Sequence, residues 1–277
     1  MVMLQRTTAF LAFFIATLSF AQRYKPMNIG HSNSIQKAEF HAILAPHNPS
    51  AVIVFVPGFE VDGREIATPE WIDFCQRNNW ALGAMNFSSR LEDVAAGHGF
   101  VESGAESGNM LLQAIKRLNW NETPLLLLGY SSGGQFVWSF ANTFPKRVTA
   151  WCAFSASRFT PEVNDGLPAG IMSCGDRDTF RFDETLLAFQ RARLKSRPLA
   201  WVTLAGTGHE RPFVLEPFVR EFFLCRIEHK AELGGIWIHN FEKSPLECEP
   251  TAPDLLQTTS WLPDQKTLRQ WQSIHTP

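Results

Sequence analysis

Pro124-Leu125-Leu126-Leu127-Leu128-Gly129-Tyr130-Ser131-Ser132-Gly133-Gly134 decides how this chain is read. A proline opens a run of leucines that ends in Gly-x-Ser-x-Gly. A helical pattern follows, with Phe136, Val137, Phe140 and Ala141 on one face. An apolar run without alternation predicts a strand buried on both sides. Strand, sharp turn and helix, in that order, make a nucleophile elbow. Such a turn strains the backbone of its central residue and lifts that side chain above the sheet. Flanking glycines let neighbouring backbone come close. Ser131 is therefore the candidate nucleophile. The N–H of Ser132, at the start of the helix, is a candidate oxyanion donor. The five-letter motif alone would also fit an ordinary glycine-rich turn, so its weight comes from the strand before it and the helix after it.

On either side of the elbow, strands and helices alternate. Gln36 to Leu44 reads as an early antiparallel strand after a polar loop over 22–35. Ala51 to Val56 is a β-branched run ending at Pro57-Gly58. Pro69 to Asn78 reads as a helix, Trp80 to Phe87 as a strand, 88–99 as a loop, and Glu102 to Leu118 as a helix. After the elbow helix come strands at Val148–Ser155, Ala169–Cys174 and Leu199–Leu204. Helices are expected from about Asp183 to Leu194 and from Glu210 to Cys225. The alternation predicts an α/β domain with a doubly wound, mostly parallel sheet and helices on both faces. Ligands in such sheets bind beyond the carboxyl ends of the strands. Two turns at such ends carry chemistry. Gly175-Asp176-Arg177-Asp178 follows one strand, and Gly208-His209 follows another.

Composition sets the class. The chain has 277 residues, 45% of them hydrophobic, and a formal net charge of -2. Without a basic cluster, nucleic acid is not an expected partner. Twenty-three phenylalanines and nine tryptophans suffice for a sizeable core. Arg6, the apolar stretch Ala9 to Leu18, and Ser19-Phe20-Ala21 form a signal-peptide pattern over 1–21, with cleavage expected before Gln22. The apolar stretch is shorter than the roughly 20 residues that cross a bilayer, so no membrane span is expected. The expected location is secreted or periplasmic. In an oxidising compartment, Cys225 and Cys248 are the favoured disulfide; Cys152 and Cys174, in neighbouring predicted strands, fit a pair or buried free thiols equally, and Cys75 reads as a core position. No Cys-x-x-Cys or His-Glu-x-x-His occurs, so no metal site is expected. Gly97-His98-Gly99 lacks the strand and the acidic residue of a dinucleotide loop, so no cofactor is expected either.

Taken together, the chain resembles the α/β-hydrolase superfamily over roughly residues 50 to 225. The resemblance implies a triad in the chain order serine, acid, histidine. It assigns Ser131 as nucleophile, His209 as general base and Asp178 as the acid. Asp176, two residues earlier, is the competing acid, and its alternative role is to form the turn. His229, His239 and His275 are the other histidines after the acid, and packing or surface roles fit them. The resemblance also implies a second oxyanion donor from the loop after the first core strand, Pro57-Gly58-Phe59-Glu60, which is the N–H of Phe59. The family's His-Gly-Gly-Gly form of that loop is absent. Ser88, Ser89, Arg90, Arg158 and Phe159 follow strand ends and are lesser candidates for lining the site.

The catalytic domain is expected over 22–228, with 229–277 as an appendage packed on it. In this family a cap is often inserted where residues 155–169 lie. Here that segment is too short for one, which implies an open site. The expected activity is a secreted serine esterase acting through an acyl-enzyme on a small-molecule or polymer-linked ester. A peptidase or acyltransferase on the same triad is the alternative, followed by a non-catalytic binding protein on this scaffold.

Overall fold

The computed structural model describes residues 26–104, 106–229 and 234–275. The stretch read as a signal peptide, 1–21, lies outside the described residues. The main sheet has eight strands: β1 (Met27–Gly30), β2 (Lys37–Leu44), β3 (Val52–Val56), β4 (Ala81–Ser88), β5 (Leu125–Tyr130), β6 (Val148–Phe154), β7 (Gly170–Gly175) and β8 (Leu199–Leu204). Their spatial order is β1-β2-β4-β3-β5-β6-β7-β8. β2 pairs antiparallel with β1 and β4. All the other pairings in this sheet are parallel. The sheet is therefore mostly parallel, and its helices are α1 (Pro69–Arg77), α2 (Leu91–Ala95), α3 (Ser107–Arg117), α4 (Ser132–Thr143), α5 (Thr179–Leu194) and α6 (Glu216–Glu228).

The leucine run explains why two cores form. Leu125 and Leu127 point into one core, and Leu126 and Leu128 into the other. Strand side chains alternate between faces, so a strand that is apolar throughout must be covered on both. Helices α3, α4 and α5 cover the first face, with Leu111, Phe136 and Phe189 buried there. Helices α1 and α6 cover the second, with Trp71 and Phe222. Each leucine taken fully out of water contributes about 1.5–3 kcal/mol. In the β3–β5 pairing Val56 lies opposite Gly129, which sets the loop after β3 beside the elbow.

Local differences from the sequence reading have identifiable causes. The segment 22–35 holds β1, a four-residue strand whose only buried side chain is Ile29. That is too little apolar signal to stand out. Helix α3 starts at Ser107, not Glu102. Ser103 is pinned in the preceding turn, where its hydroxyl and its N–H both donate to Ser139 Oγ, at 2.9 and 3.2 Å. The loop 88–99 contains the short helix α2. Helix α5 begins at Thr179, earlier than the apolar pattern indicated. The segment 155–169 carries no helix or strand.

The last stretch forms a second sheet of β9 (Ile236–His239), β10 (Pro245–Leu246) and β11 (Thr259–Leu262), with helices α7 (Pro253–Gln257) and α8 (Gln265–Ile274). It is stitched to β8, the edge of the main sheet. The N–H of Trp201 donates to Ser260 Oγ at 2.8 Å, and Trp271 Nε1 donates to the Trp201 carbonyl at 2.7 Å. The buried Arg193 guanidinium donates from Nε to the Thr259 carbonyl at 2.8 Å and lies 4.5 Å from the Trp237 ring. Burial pulls this arginine down to about 10. An exposed parallel edge would offer its free backbone groups to another chain, and the tail covers this one.

The expected Cys225–Cys248 disulfide is not formed. All five cysteines are free thiols; Cys225 is buried and Cys248 exposed. The Cys225 thiol is hydrogen-bonded to the Asp264 carboxylate at the start of α8 instead, and burial pushes it up to about 12.

Candidate active site

Ser131 sits at the tip of β5 with φ 54° and ψ −125°. Such a conformation costs a non-glycine residue on the order of 1–3 kcal/mol and persists only where its surroundings enforce it. They do so here. The Ser131 N–H donates to the Phe154 carbonyl of β6 at 2.9 Å, and its carbonyl accepts the first helical bond from Gln135 at 3.1 Å. The glycines make the turn possible. A Cβ on Gly133 would lie 1.9 Å from the Val56 carbonyl oxygen, and one on Gly129 would lie 2.3 Å from the Gly133 carbonyl oxygen.

Three side chains from three strand ends then meet. Ser131 Oγ is 2.9 Å from His209 Nε2, and His209 Nδ1 is 2.7 Å from Asp178 Oδ2. His209 is about one-third exposed, while the Asp178 carboxylate is buried. Arg181 Nη1, one helical turn on, donates to the other oxygen of Asp178 at 3.0 Å. Asp178 occupies the N-cap position of α5 but gives no side-chain cap. Both of its oxygens face His209 and Arg181 instead. A capping bond worth about 0.5–2 kcal/mol is thereby forgone.

Asp176 has a different place. Its Oδ1 accepts from the Gly206 N–H at 2.8 Å and closes the turn after β8. Gly175 allows that turn to approach, because a Cβ there would lie 2.1 Å from the Thr207 carbonyl oxygen. Asp176 thus shapes the loop on which His209 stands, and Asp178 reaches the imidazole. The ring of Tyr130 is stacked on His209. Burial and the Asp178 charge push the Tyr130 phenol up to about 12, so it stays protonated.

The loop after β3 runs beside the nucleophile. A Cβ on Gly58 would be 3.3 Å from Ser131 Cβ, which sets the Gly58-Phe59 backbone alongside it. The N–H of Ser132 belongs to the first turn of α4, where helical N–H groups lack intrahelical partners. The loop expected to supply the second oxyanion donor therefore runs beside Ser131. Arg211, two residues past His209, joins the two loops. It donates to Glu216 Oε1 from Nη2 at 2.6 Å and to the Glu65 carbonyl from Nη1 at 3.3 Å, and its Nη1 is 3.3 Å from Glu65 Oε1.

The other candidates lie elsewhere. His229 caps the end of α6, His239 Nδ1 accepts from the Glu242 N–H, and His275 bonds the Trp271 carbonyl. Ser89 accepts from the Phe100 N–H, and Arg90 pairs with Asp93. Arg158 and Phe159 border a cleft of about 420 Å³ together with Gln135, one turn beyond Ser131 on α4. No group of three or more metal-ligating side chains is found among the described residues. Arg181 escaped the sequence reading, although its i,i+3 spacing from Asp178 on a helix would have revealed it.

No family model matches this chain, and no curated protein matches its sequence. Solved structures do match in shape. An S-formylglutathione hydrolase from Agrobacterium tumefaciens is 13% identical, with a TM-score of 0.54 over 74% of this chain and 94% of that one. A carboxylesterase from Mesorhizobium loti is 14% identical, with a TM-score of 0.53 over 68% of this chain and 94% of that one. An α/β-hydrolase enzyme from a Medee basin deep-sea metagenome library is 12% identical, with a TM-score of 0.53 over 68% and 83% of the two chains. Together with the strand order and the elbow, these likenesses identify the architecture: the chain has the α/β-hydrolase fold.

Proposed function

We propose that the protein is a serine hydrolase that cleaves carboxylic esters through an acyl-enzyme. The observation that carries this reading is the unbroken chain from Ser131 Oγ to His209 Nε2 at 2.9 Å and from His209 Nδ1 to Asp178 Oδ2 at 2.7 Å. Ser131 Oγ attacks the ester carbonyl carbon, and its proton passes to His209 Nε2. Asp178 holds the Nδ1–H tautomer and stabilises the imidazolium. The negative charge on the former carbonyl oxygen is met by the N–H groups of Phe59 and Ser132. The carbon–oxygen bond to the alcohol breaks as His209 returns the proton to the leaving oxygen. Water then repeats the sequence on the acyl-enzyme and releases the acid. The activities of the carboxylesterase and the S-formylglutathione hydrolase that share the fold are consistent with an ester or thioester substrate.

A fluorophosphonate probe tests the reading. Stoichiometric labelling at Ser131, lost in Ser131→Ala, together with turnover of short-chain aryl esters, is the expected result. Folded protein that neither takes the label nor cleaves the esters overturns it. Export is proposed from the pattern over 1–21, and N-terminal sequencing of mature protein starting at Gln22 is its test.

A further inference from the structure

The loop that carries Phe59 is held from the side by a polar cluster far from the triad in sequence. Asn86, at the end of β4, accepts from the Gly63 N–H at 2.6 Å. Its amide nitrogen lies 3.2 Å from Asp62 Oδ1 and 3.2 Å from His41 Nε2 on β2. The packing there is close: a Cβ on Gly63 would lie 2.6 Å from the Met85 carbonyl oxygen. The bond from Gly63 fixes the amide with its oxygen toward the loop. The Nδ2 group must then donate to both remaining partners, so His41 Nε2 has to be an acceptor. An imidazole that accepts at Nε2 is neutral and carries its proton on Nδ1. His41 is buried, and its Nδ1 has no hydrogen-bond partner among the described residues.

We propose that Asn86 and His41 are positioning residues for the oxyanion loop: Asn86 clamps the loop at Asp62 and Gly63, and neutral His41 orients Asn86, so that a proton on His41 releases the clamp. The proposal rests on the reading of the Phe59 N–H as an oxyanion donor. A protonated Nε2 would face the Asn86 N–H as donor against donor. A substitute acceptor is at hand, since Glu39 Oε2 lies 3.7 Å from the same nitrogen. Two arrangements are thus available to one ring. The charged groups around it are Lys37 and Glu39 on its own strand and Asp62 and Arg64 on the loop side; Asn86 and Ala84, across from it on β4, are uncharged. Burial first, and then the Arg64 charge, lower the proton affinity of His41 against the pull of Asp62 and Glu39. The neutral, clamping form is therefore the resting state near neutrality, and release belongs to the acid side.

The test is steady-state kinetics on an aryl ester across pH, with folding followed by circular dichroism. Asn86→Ala should lower kcat about 10-fold or more with KM nearly unchanged, because an oxyanion donor acts in the transition state. His41→Leu should behave alike, and His41→Gln, whose side-chain oxygen can accept from Asn86, should restore most of the loss. In the wild type, log kcat/KM should fall more steeply on the acid side than in His41→Gln, because a proton on His41 releases the clamp. An unchanged kcat in Asn86→Ala, or an acid limb identical in wild type and His41→Gln, overturns the proposal. The pH comparison stands even if the Asn86 variant fails to fold. Wild-type protein that labels at Ser131 while these variants match it removes the clamp alone, whereas wild type that does not label removes the hydrolase reading itself.

Discussion

The ring of Tyr130 lies stacked against the imidazole of His209, with centroids 5.2 Å apart and planes inclined by 24°. The residue before the candidate nucleophile thereby supports the candidate base. An aromatic face next to an imidazolium contributes about 0.5–1 kcal/mol at a partly exposed site. Tyr130→Leu should lower kcat about 2- to 5-fold, and Tyr130→Phe should stay near wild type. Equal losses in both would show that the hydroxyl matters and the ring does not.

Asp178 and Asp176 stand two residues apart with separate tasks, one on His209 and one on the Gly206 turn. Asp178→Asn should reduce kcat by about 10³–10⁴, since an amide no longer selects the productive tautomer. Asp176→Asn keeps an acceptor for Gly206 and should stay within about threefold of wild type. Kinetics on the two purified variants decides, and the reverse ranking would reassign the acid.

Gly133 meets the end of β3 with no room for a side chain. Gly133→Ala forces apart two backbone segments. The fold should lose about 3 kcal/mol or more, at or beyond the upper end of ordinary overpacking. Urea denaturation measures it; a loss below 1 kcal/mol would mean that the elbow can yield.

Glu216 is buried, accepting from Trp71 Nε1 at 2.6 Å and from Arg211 at 2.6 and 3.0 Å. Glu216→Ala leaves Arg211 without this partner, at a cost of about 3–5 kcal/mol. Glu216→Gln, which retains an acceptor, should lose less. Denaturation midpoints for the two variants check the order.

With five free thiols, a reductant should leave the melting temperature unchanged. A thiol reagent should titrate one cysteine, Cys248, in the native protein and all five in denaturant. A native count of none, with three in denaturant before reduction, would instead reveal a disulfide.

What the sequence revealed and what it concealed follow from distance along the chain. The elbow was legible because strand, turn and helix are consecutive, and because Leu125 to Leu128 needs two covered faces. Asp178 and His209 were legible as strand-end residues. The choice between Asp178 and Asp176 was not, since it depends on which way side chains leave a tight turn. β1 stayed hidden because a single buried Ile29 leaves no periodicity. The Cys225–Cys248 pairing failed because Cys225 faces Asp264, a neighbour only after α8 docks on α6. The cluster of His41, Asp62, Gly63 and Asn86 spans 45 positions, and no local pattern announces it.

Arg211 ties the loop of His209 to the turn that follows the loop of Phe59, through Glu65 and Glu216. The two walls of the site are therefore not independent parts. The Arg211 guanidinium is thus a shared strut: a displacement of the His209 loop is passed on to the Glu65 turn, and the two sides of the candidate site are mechanically coupled.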